Sequence, residues 1–349
     1  MGDRLRVAVV TPLREELCAL VERLEPRVEM VCEQELLPPE RYPADHHGDP
    51  SFRRSAAQQR RFEEVMADAD ALYGLPGEDA AALRRAVEAN PRLRWVHTMA
   101  AGGGAQIKAA GLTAEQLDRV TFTTSAGVHA GPLAEYALLG LLAGAKNVPR
   151  LQADAARHEW PPRWLMGQLR EQTVLVVGLG GIGREVARVL AALGTRVIGT
   201  SRRGEPVDGV AELVHPSELA AVVARVDGIV VTLPGTAATE KLVSADVLAA
   251  VRPGATLVNV GRGTVVDEDA LVGALRDGRI GFAALDVFAA EPLDPASPLW
   301  DLPNVLLSPH NATLTPAEGR RIAELFADNA TRLLDGRPLR NVVNTVEFY

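Results

Sequence analysis

Gly178-Leu179-Gly180-Gly181-Ile182-Gly183 follows the apolar run Thr173–Val177 and leads directly into a helical pattern. Strand, glycine turn and helix in that order are the setting in which a G-x-G-x-x-G sequence binds a dinucleotide. The first glycine makes the tight turn. The second lets backbone approach a pyrophosphate, and the third allows helix and strand to pack closely. Gly181 and Ile182 sit where the helix begins, so phosphates would rest on unpaired N–H groups at its positive end.

Downstream, a fold that prefers NAD ends its second strand on a carboxylate about 20 residues further on, which grips the ribose hydroxyls. Here the second strand reads Arg196–Thr200 and runs into Ser201-Arg202-Arg203. A hydroxyl and two guanidiniums stand in place of the carboxylate, and guanidinium forks suit phosphate oxygens. The expectation is NADP(H) as the preferred cofactor. The alternative is a pair of solvated loop arginines, with NAD(H) serving instead.

A chain of 349 residues exceeds what one core supports, so two domains are expected. With 47% hydrophobic and 23% charged residues it has an ordinary globular composition. A net charge of −8 argues against nucleic acid or an anionic membrane as the main partner. The two cysteines, Cys18 and Cys32, make neither a disulfide framework nor metal-type spacing, and read as idle thiols. The apolar run near the N-terminus is too short for a signal-peptide core, and the stretch Tyr136–Ala145 is too short for a membrane span. A cytoplasmic protein is expected.

The first part alternates β-branched runs with helical patterns: Arg6–Val10, Val28–Cys32, Ala69–Gly74, Arg94–Met99 and Val120–Thr124 read as strands, with a helix at Glu15–Leu24. Such alternation implies a parallel sheet covered on both faces. The polar segment Pro38–Arg61 reads as a solvated insertion, its His46-His47-x-Asp49 run being the one conceivable metal ligand set. Pro132–Lys146 is a long apolar helix that needs cover from the core or from another subunit. Later strands are expected at Gly228–Leu233, Thr256–Val260, Gly281–Asp286 and Val305–Ser308, and the amphipathic tail from Pro316 returns to the first domain.

Three segments close those later strands with groups that carry chemistry. Arg262 lies between glycines in Asn259-Val260-Gly261-Arg262-Gly263, and an arginine there can clamp a carboxylate or polarise a carbonyl. Asp286 ends one strand and Glu291 lies in the loop after it; His310 follows the last strand in Ser308-Pro309-His310-Asn311. Reducing a keto group with a nicotinamide cofactor needs a hydride donor, a proton donor and a grip on the substrate anion. His310 would give the proton, Glu291 would favour its charged form, and Arg262 would hold the substrate. No metal is called for.

These four motifs, in this order, resemble the D-2-hydroxyacid dehydrogenase family from end to end. The resemblance implies an α/β fold of two parallel-sheet domains. A Rossmann-type dinucleotide-binding domain at 127–314 is inserted into a flavodoxin-like substrate domain formed by 1–126 and 315–349. It implies Arg262, Glu291 and His310 as the catalytic set, with Arg262 and His310 also touching substrate. Leu233, Pro234, Val260 and Gly261 become further cofactor contacts, and Asp286 meets the nicotinamide carboxamide. Backbone N–H groups of Ala101, Gly102 and Gly103 would hold the substrate carboxylate, and the long helix would pack between the subunits of a homodimer.

Ser201-Arg202-Arg203 is most similar to the NADPH-using glyoxylate/hydroxypyruvate reductase branch of that family. The chain departs from the family pattern at the Ala101–Gly104 turn, at Asn311 and in the 38–61 insertion, all bordering the substrate side. The expected activity is hydride transfer between NADP(H) and a small 2-keto or 2-hydroxy acid, with glyoxylate or hydroxypyruvate as substrate. The alternatives are an NAD-dependent 2-hydroxyacid, formate or phosphite dehydrogenase, and a dinucleotide-sensing, corepressor-like binding protein.

Overall fold

A computed structural model describes residues 4–102 and 104–346. The chain forms two compact α/β units, one running to His129 and resuming at Leu314, the other made of Ala130–Thr313.

In the first unit five short strands form a parallel sheet: β1 (Leu5–Val9), β2 (Val28–Val31), β3 (Ala71–Tyr73), β4 (Trp95–Thr98) and β5 (Thr121–Thr124). Their order is β2-β1-β3-β4-β5, the flavodoxin-like arrangement. β3 and β4 are buried along their whole length, as expected of central parallel strands covered on both faces. The amphipathic tail becomes the helix Glu318–Leu334, whose Phe326 stacks on Trp95 (ring centroids 4.3 Å apart) and meets Tyr73 edge-on at 4.9 Å. His97 of β4 is wholly buried, Nδ1 on the Thr123 hydroxyl at 2.8 Å and Nε2 on that of Ser125 at 3.2 Å. Burial holds its pKa down at about 3, so it is neutral.

The segment 38–61 is mostly exposed, as expected, but it is anchored at a few points. Asp45 is 1% exposed and clamped by Arg41, whose Nε donates to Oδ2 at 2.6 Å. The His46 carbonyl accepts from the Thr11 hydroxyl, and its ring lies 3.7 Å from the buried Glu318 carboxylate. Ser55 caps the helix Ala56–Ala67. A buried carboxylate is tolerable only when paired, and Arg41 supplies the pair four residues away.

The second unit holds seven parallel strands: β6 (Thr173–Val177), β7 (Arg196–Thr200), β8 (Glu212–Val214), β9 (Gly228–Val231), β10 (Ala255–Asn259), β11 (Ile280–Leu285) and β12 (Val305–Leu307). The order is β12-β11-β10-β9-β6-β7-β8, so the sheet reverses direction of growth between β6 and β9. That reversal is where open α/β sheets bind ligands. β8 has no counterpart among the expected strands; it is three residues long and pairs only with β7.

The long apolar helix runs Ala130–Ala145 and lies on this sheet through its glycines. A Cβ at Gly140 would come within 2.7 Å of Ala284 Cβ, and one at Gly144 within 2.0 Å of Thr256 Oγ1. The core therefore covers one face, while Leu139 on another stays 52% exposed. Among the described residues no helix is long and apolar enough to cross a membrane.

Candidate active site

The fingerprint loop connects β6 to the helix Gly181–Ala192, and its glycines are required for distinct reasons. Gly178 has φ +103°, a backbone region that side chains avoid. A Cβ on Gly183 would fall 1.9 Å from the Gly178 carbonyl oxygen, so only glycine lets helix and strand come this close. Around Gly180 nothing lies within 4 Å of where a Cβ would be, which leaves the second position open to a ligand. Gly180 also gives the helix no side-chain cap, and its first turn carries no acid. Uncapped N–H groups beside open space make a cradle that fits a pyrophosphate.

Two threonines that the sequence reading placed in strands without a role fix this loop: Thr200 Oγ1 accepts from the Gly178 N–H at 2.8 Å, and Thr232 Oγ1 donates to the Gly178 carbonyl at 2.7 Å. Nothing in sequence marks them beyond their position at strand ends. Leu233, beside Thr232, packs its side chain over Gly178, with Pro234 exposed next to it.

At the end of β7, Ser201 Oγ accepts the backbone N–H groups of Arg203 (3.2 Å) and Gly204 (3.1 Å) and so closes a turn. Arg202 and Arg203 stand exposed on it, and neither has a carboxylate partner among the described residues. Two unpaired guanidiniums beside the dinucleotide cradle fit an extra ribose phosphate.

Val260 and Gly261 continue β10 into the Arg262 turn. The neighbouring glycines are pressed against protein backbone. A Cβ at Gly261 would meet the Leu233 carbonyl oxygen at 2.5 Å, and one at Gly263 would lie 1.8 Å from the Phe288 carbonyl carbon. Asn259 braces the turn, its Nδ2 donating to the Arg262 carbonyl at 3.1 Å and its Oδ1 accepting from Gly261 N–H at 3.1 Å. The Arg262 side chain is exposed, and among the described residues its one hydrogen bond is from Nη1 to the Gly261 carbonyl at 2.7 Å.

Through Phe288 this turn is joined to the acid–base pair. The Phe288 N–H donates to Glu291 Oε1 at 3.0 Å, and the other oxygen, Oε2, accepts from His310 Nδ1 at 2.8 Å. A carboxylate can only accept here, so Nδ1 carries a proton and Nε2 remains for other partners. His310 adopts φ +57° and is held there by its N–H on the Asp286 carbonyl at 3.0 Å. The buried Asp286 side chain (1% exposed) accepts the next two N–H groups on Oδ1, Asn311 at 2.9 Å and Ala312 at 3.0 Å. Burial pushes the Asp286 carboxyl up, against hydrogen bonds to Ser308 and these amides. In this structure Asp286 thus anchors the His310 loop.

Beside the pair lies a cavity of about 580 Å³ walled by Phe288, Leu293, Trp300 and Leu307. Trp300 was not legible as a site residue, because it sits in the proline-broken stretch Asp294–Trp300 with no strand or motif to mark it. In the first unit, Ala101 and Gly102 form a turn just after β4; Gly103 lies outside the described residues. Among the described residues no group of three or more His, Cys, Asp or Glu could hold a metal ion.

The family model described as "D-isomer specific 2-hydroxyacid dehydrogenase, NAD binding domain" matches residues 138–312. The chain is 35% identical to a glyoxylate reductase of Aeropyrum pernix, over 79% of this chain and 83% of that one. It is 31% identical to glyoxylate/hydroxypyruvate reductase B of Yersinia enterocolitica, over 83% and 88%. Among solved structures it resembles an NADPH-dependent glyoxylate/hydroxypyruvate reductase from Sinorhizobium meliloti in complex with NADP and sulfate, with TM-score 0.76, 26% identity and coverage of 99% and 100%. The fold and the site thus define a nicotinamide-dependent oxidoreductase. The chain belongs to the D-isomer specific 2-hydroxyacid dehydrogenase family.

Proposed function

We propose that this protein reduces a small 2-keto acid, glyoxylate or hydroxypyruvate, to the hydroxy acid, and that it prefers NADP(H) to NAD(H). The observation that carries the reading is the Glu291–His310 pair at 2.8 Å, joined through Phe288 to the Arg262 turn, with no partner on Nε2 among the described residues. Similarity to proteins named for glyoxylate and hydroxypyruvate reduction supports the substrate class, and a solved relative holding NADP supports the cofactor.

The dinucleotide would lie on Gly178, Gly180, Gly181, Ile182 and Gly183, with Leu233, Pro234, Val260 and Gly261 at its flank and Ser201, Arg202 and Arg203 at its 2′-phosphate. When bound it supplies the hydride. His310 Nε2 gives a proton to the keto oxygen, while Glu291 stabilises the charged ring and fixes its orientation. Arg262 polarises the substrate carbonyl and holds its carboxylate. Asp286 keeps the His310 loop in place.

We assign the nucleotide role to the 130–313 unit and the substrate role to the discontinuous one, whose Ala101 and Gly102 N–H groups receive the substrate carboxylate. The protein acts as a cytoplasmic homodimer through the helix Ala130–Ala145, whose exposed Leu139 is the surface a second copy would cover. Initial rates of nicotinamide oxidation with the two keto acids test the assignment, and sedimentation of the purified protein tests the dimer.

A further inference from the structure

Glu318 opens the tail helix Glu318–Leu334 and is only 3% exposed, so the first unit buries a carboxylate that no catalytic step uses. Its Oε1 accepts from Nε2 of the buried His129 at 3.0 Å, across 189 residues of chain. The His46 ring stands 3.7 Å from the same oxygen, and Oε2 has no hydrogen-bond partner among the described residues. Burial pushes the Glu318 carboxyl up, but the two imidazoles beside it outweigh that and hold it down at about 2. Glu318 is therefore charged, and a buried charge fixes its partner firmly, because parting would leave it uncompensated.

His129 ends the turn Ser125–His129, which follows β5 and is closed by the Val128 N–H on the Ser125 carbonyl at 3.1 Å. At the other end of this turn the Ser125 N–H donates to the Ala100 carbonyl at 3.4 Å, and the Thr98 hydroxyl donates to the same oxygen at 3.3 Å. Ser125 Oγ donates in turn to the Thr98 carbonyl at 3.1 Å, which joins the turn to the end of β4. The Ala100 carbonyl and the Ala101 N–H belong to one planar trans peptide and point in opposite directions. Holding that oxygen toward Ser125 fixes where the Ala101 N–H points.

We propose that Glu318 is a positioning residue for substrate binding: through His129 it holds the Ser125–His129 turn, and through that turn it aims the Ala101 N–H at the substrate carboxylate. The proposal rests on the reductase reading, which gives the Ala101 and Gly102 N–H groups that task. Glu318 touches neither substrate nor cofactor in this account. It acts on the keto acid alone, because the cofactor residues and the Glu291–His310 pair all lie in the 130–313 unit.

The test is steady-state kinetics of the full-length protein with NADPH and each of glyoxylate and hydroxypyruvate, beside melting curves. Glu318→Ala should raise KM for the keto acid about tenfold, the worth of a charge-assisted hydrogen bond turned partly off its acceptor. Its kcat and its KM for NADPH should stay within about twofold, since only ground-state binding of the keto acid is lost. Glu318→Gln keeps an acceptor for His129 and should bring KM most of the way back. Should Glu318→Ala fail to fold, the paired substitution His129→Leu with Glu318→Leu removes the tie without leaving a buried charge, and it should raise KM in the same way. A lower melting temperature with KM unmoved would overturn the proposal and leave Glu318 a structural residue only. So would an equal rise in KM for NADPH. A wild-type protein that turns over neither keto acid would overturn the reductase reading and this proposal with it, whereas an active wild type with unmoved KM in the variants overturns this proposal alone.

Discussion

Glu291 Oε2 lies 2.8 Å from Nδ1 of His310, although nineteen residues separate the two in sequence. The other Glu291 oxygen is taken by the Phe288 N–H, so the carboxylate is fixed at both ends and cannot turn away from the ring. This geometry leaves one ring nitrogen for the substrate. His310→Ala should therefore lower kcat by about 10²- to 10⁴-fold, the usual worth of a positioned general acid. Glu291→Gln, which keeps an acceptor but removes the charge, should cost about tenfold to a hundredfold in kcat with KM little changed. Steady-state kinetics decide; near-normal kcat in His310→Ala would refute the assignment.

Arg262 makes no ion pair within the protein among the described residues, so its loss leaves no buried charge behind. Arg262→Ala should leave the melting temperature unchanged and raise KM for the keto acid more than it lowers kcat. Loss of one charge-assisted grip corresponds to about a tenfold to hundredfold fall in kcat/KM. Parallel melting curves and kinetics check both halves.

The paired substitution Arg202→Ser with Arg203→Ser should lower the NADPH-over-NADH ratio in kcat/KM by about tenfold to a hundredfold, because a phosphate loses charge-assisted donors. The NADH rate itself should barely move. An unchanged ratio would make both arginines mere surface charge.

The fingerprint glycines separate stability from binding. Gly183→Ala places a methyl 1.9 Å from a backbone oxygen and should cost about 3 kcal/mol of stability, visible as a lower melting temperature. Gly180→Ala meets no protein atom and should fold normally while weakening dinucleotide affinity about tenfold. Calorimetry and cofactor titration of the two variants make the contrast.

The residues that announced themselves in sequence were those whose chemistry follows local chain order. β6 and β7 were legible to the residue, because five consecutive positions suit a covered parallel strand. The order of the Arg262, Glu291 and His310 segments likewise carried the site. What escaped depends on contacts distant in sequence. β8 is too short to show a pattern, and it exists because β7 offers it a free edge. Segment 38–61 looked solvated because most of it is, and because its buried Asp45 is polar; only the Arg41 clamp reveals that this carboxylate is paired. Gly261 and Gly263 flank Arg262 in sequence, and the close approach they permit is to Leu233 and Phe288.

His97 gives the first unit a defined acid sensitivity. Its folded pKa of about 3 lies below the ordinary 6.5, so the unfolded chain takes up the proton first. Its contribution to stability is complete above pH 6.5 and is lost as pH falls from there toward 3. Glu25 and Asp45, held near 2 by hydrogen bonds from arginines, begin to lose theirs only below their ordinary values of 4.5 and 3.8. The interval from about pH 6.5 to 4.5 therefore separates the histidine from these two carboxylates, while Glu40, Glu78 and Asp286, whose carboxyls burial pushes up, act in the opposite direction there. The melting temperature should fall across it, and His97→Gln should flatten that slope even if the variant is less stable throughout.

The central claim is tested most directly by the initial rate of NADPH oxidation, compared with NADH, when glyoxylate or hydroxypyruvate is supplied. Rapid turnover that strongly favours NADPH is the predicted result, and it would join the Glu291–His310 pair and the Ser201–Arg203 turn in one activity. Dinucleotide binding without turnover of either keto acid would contradict the account.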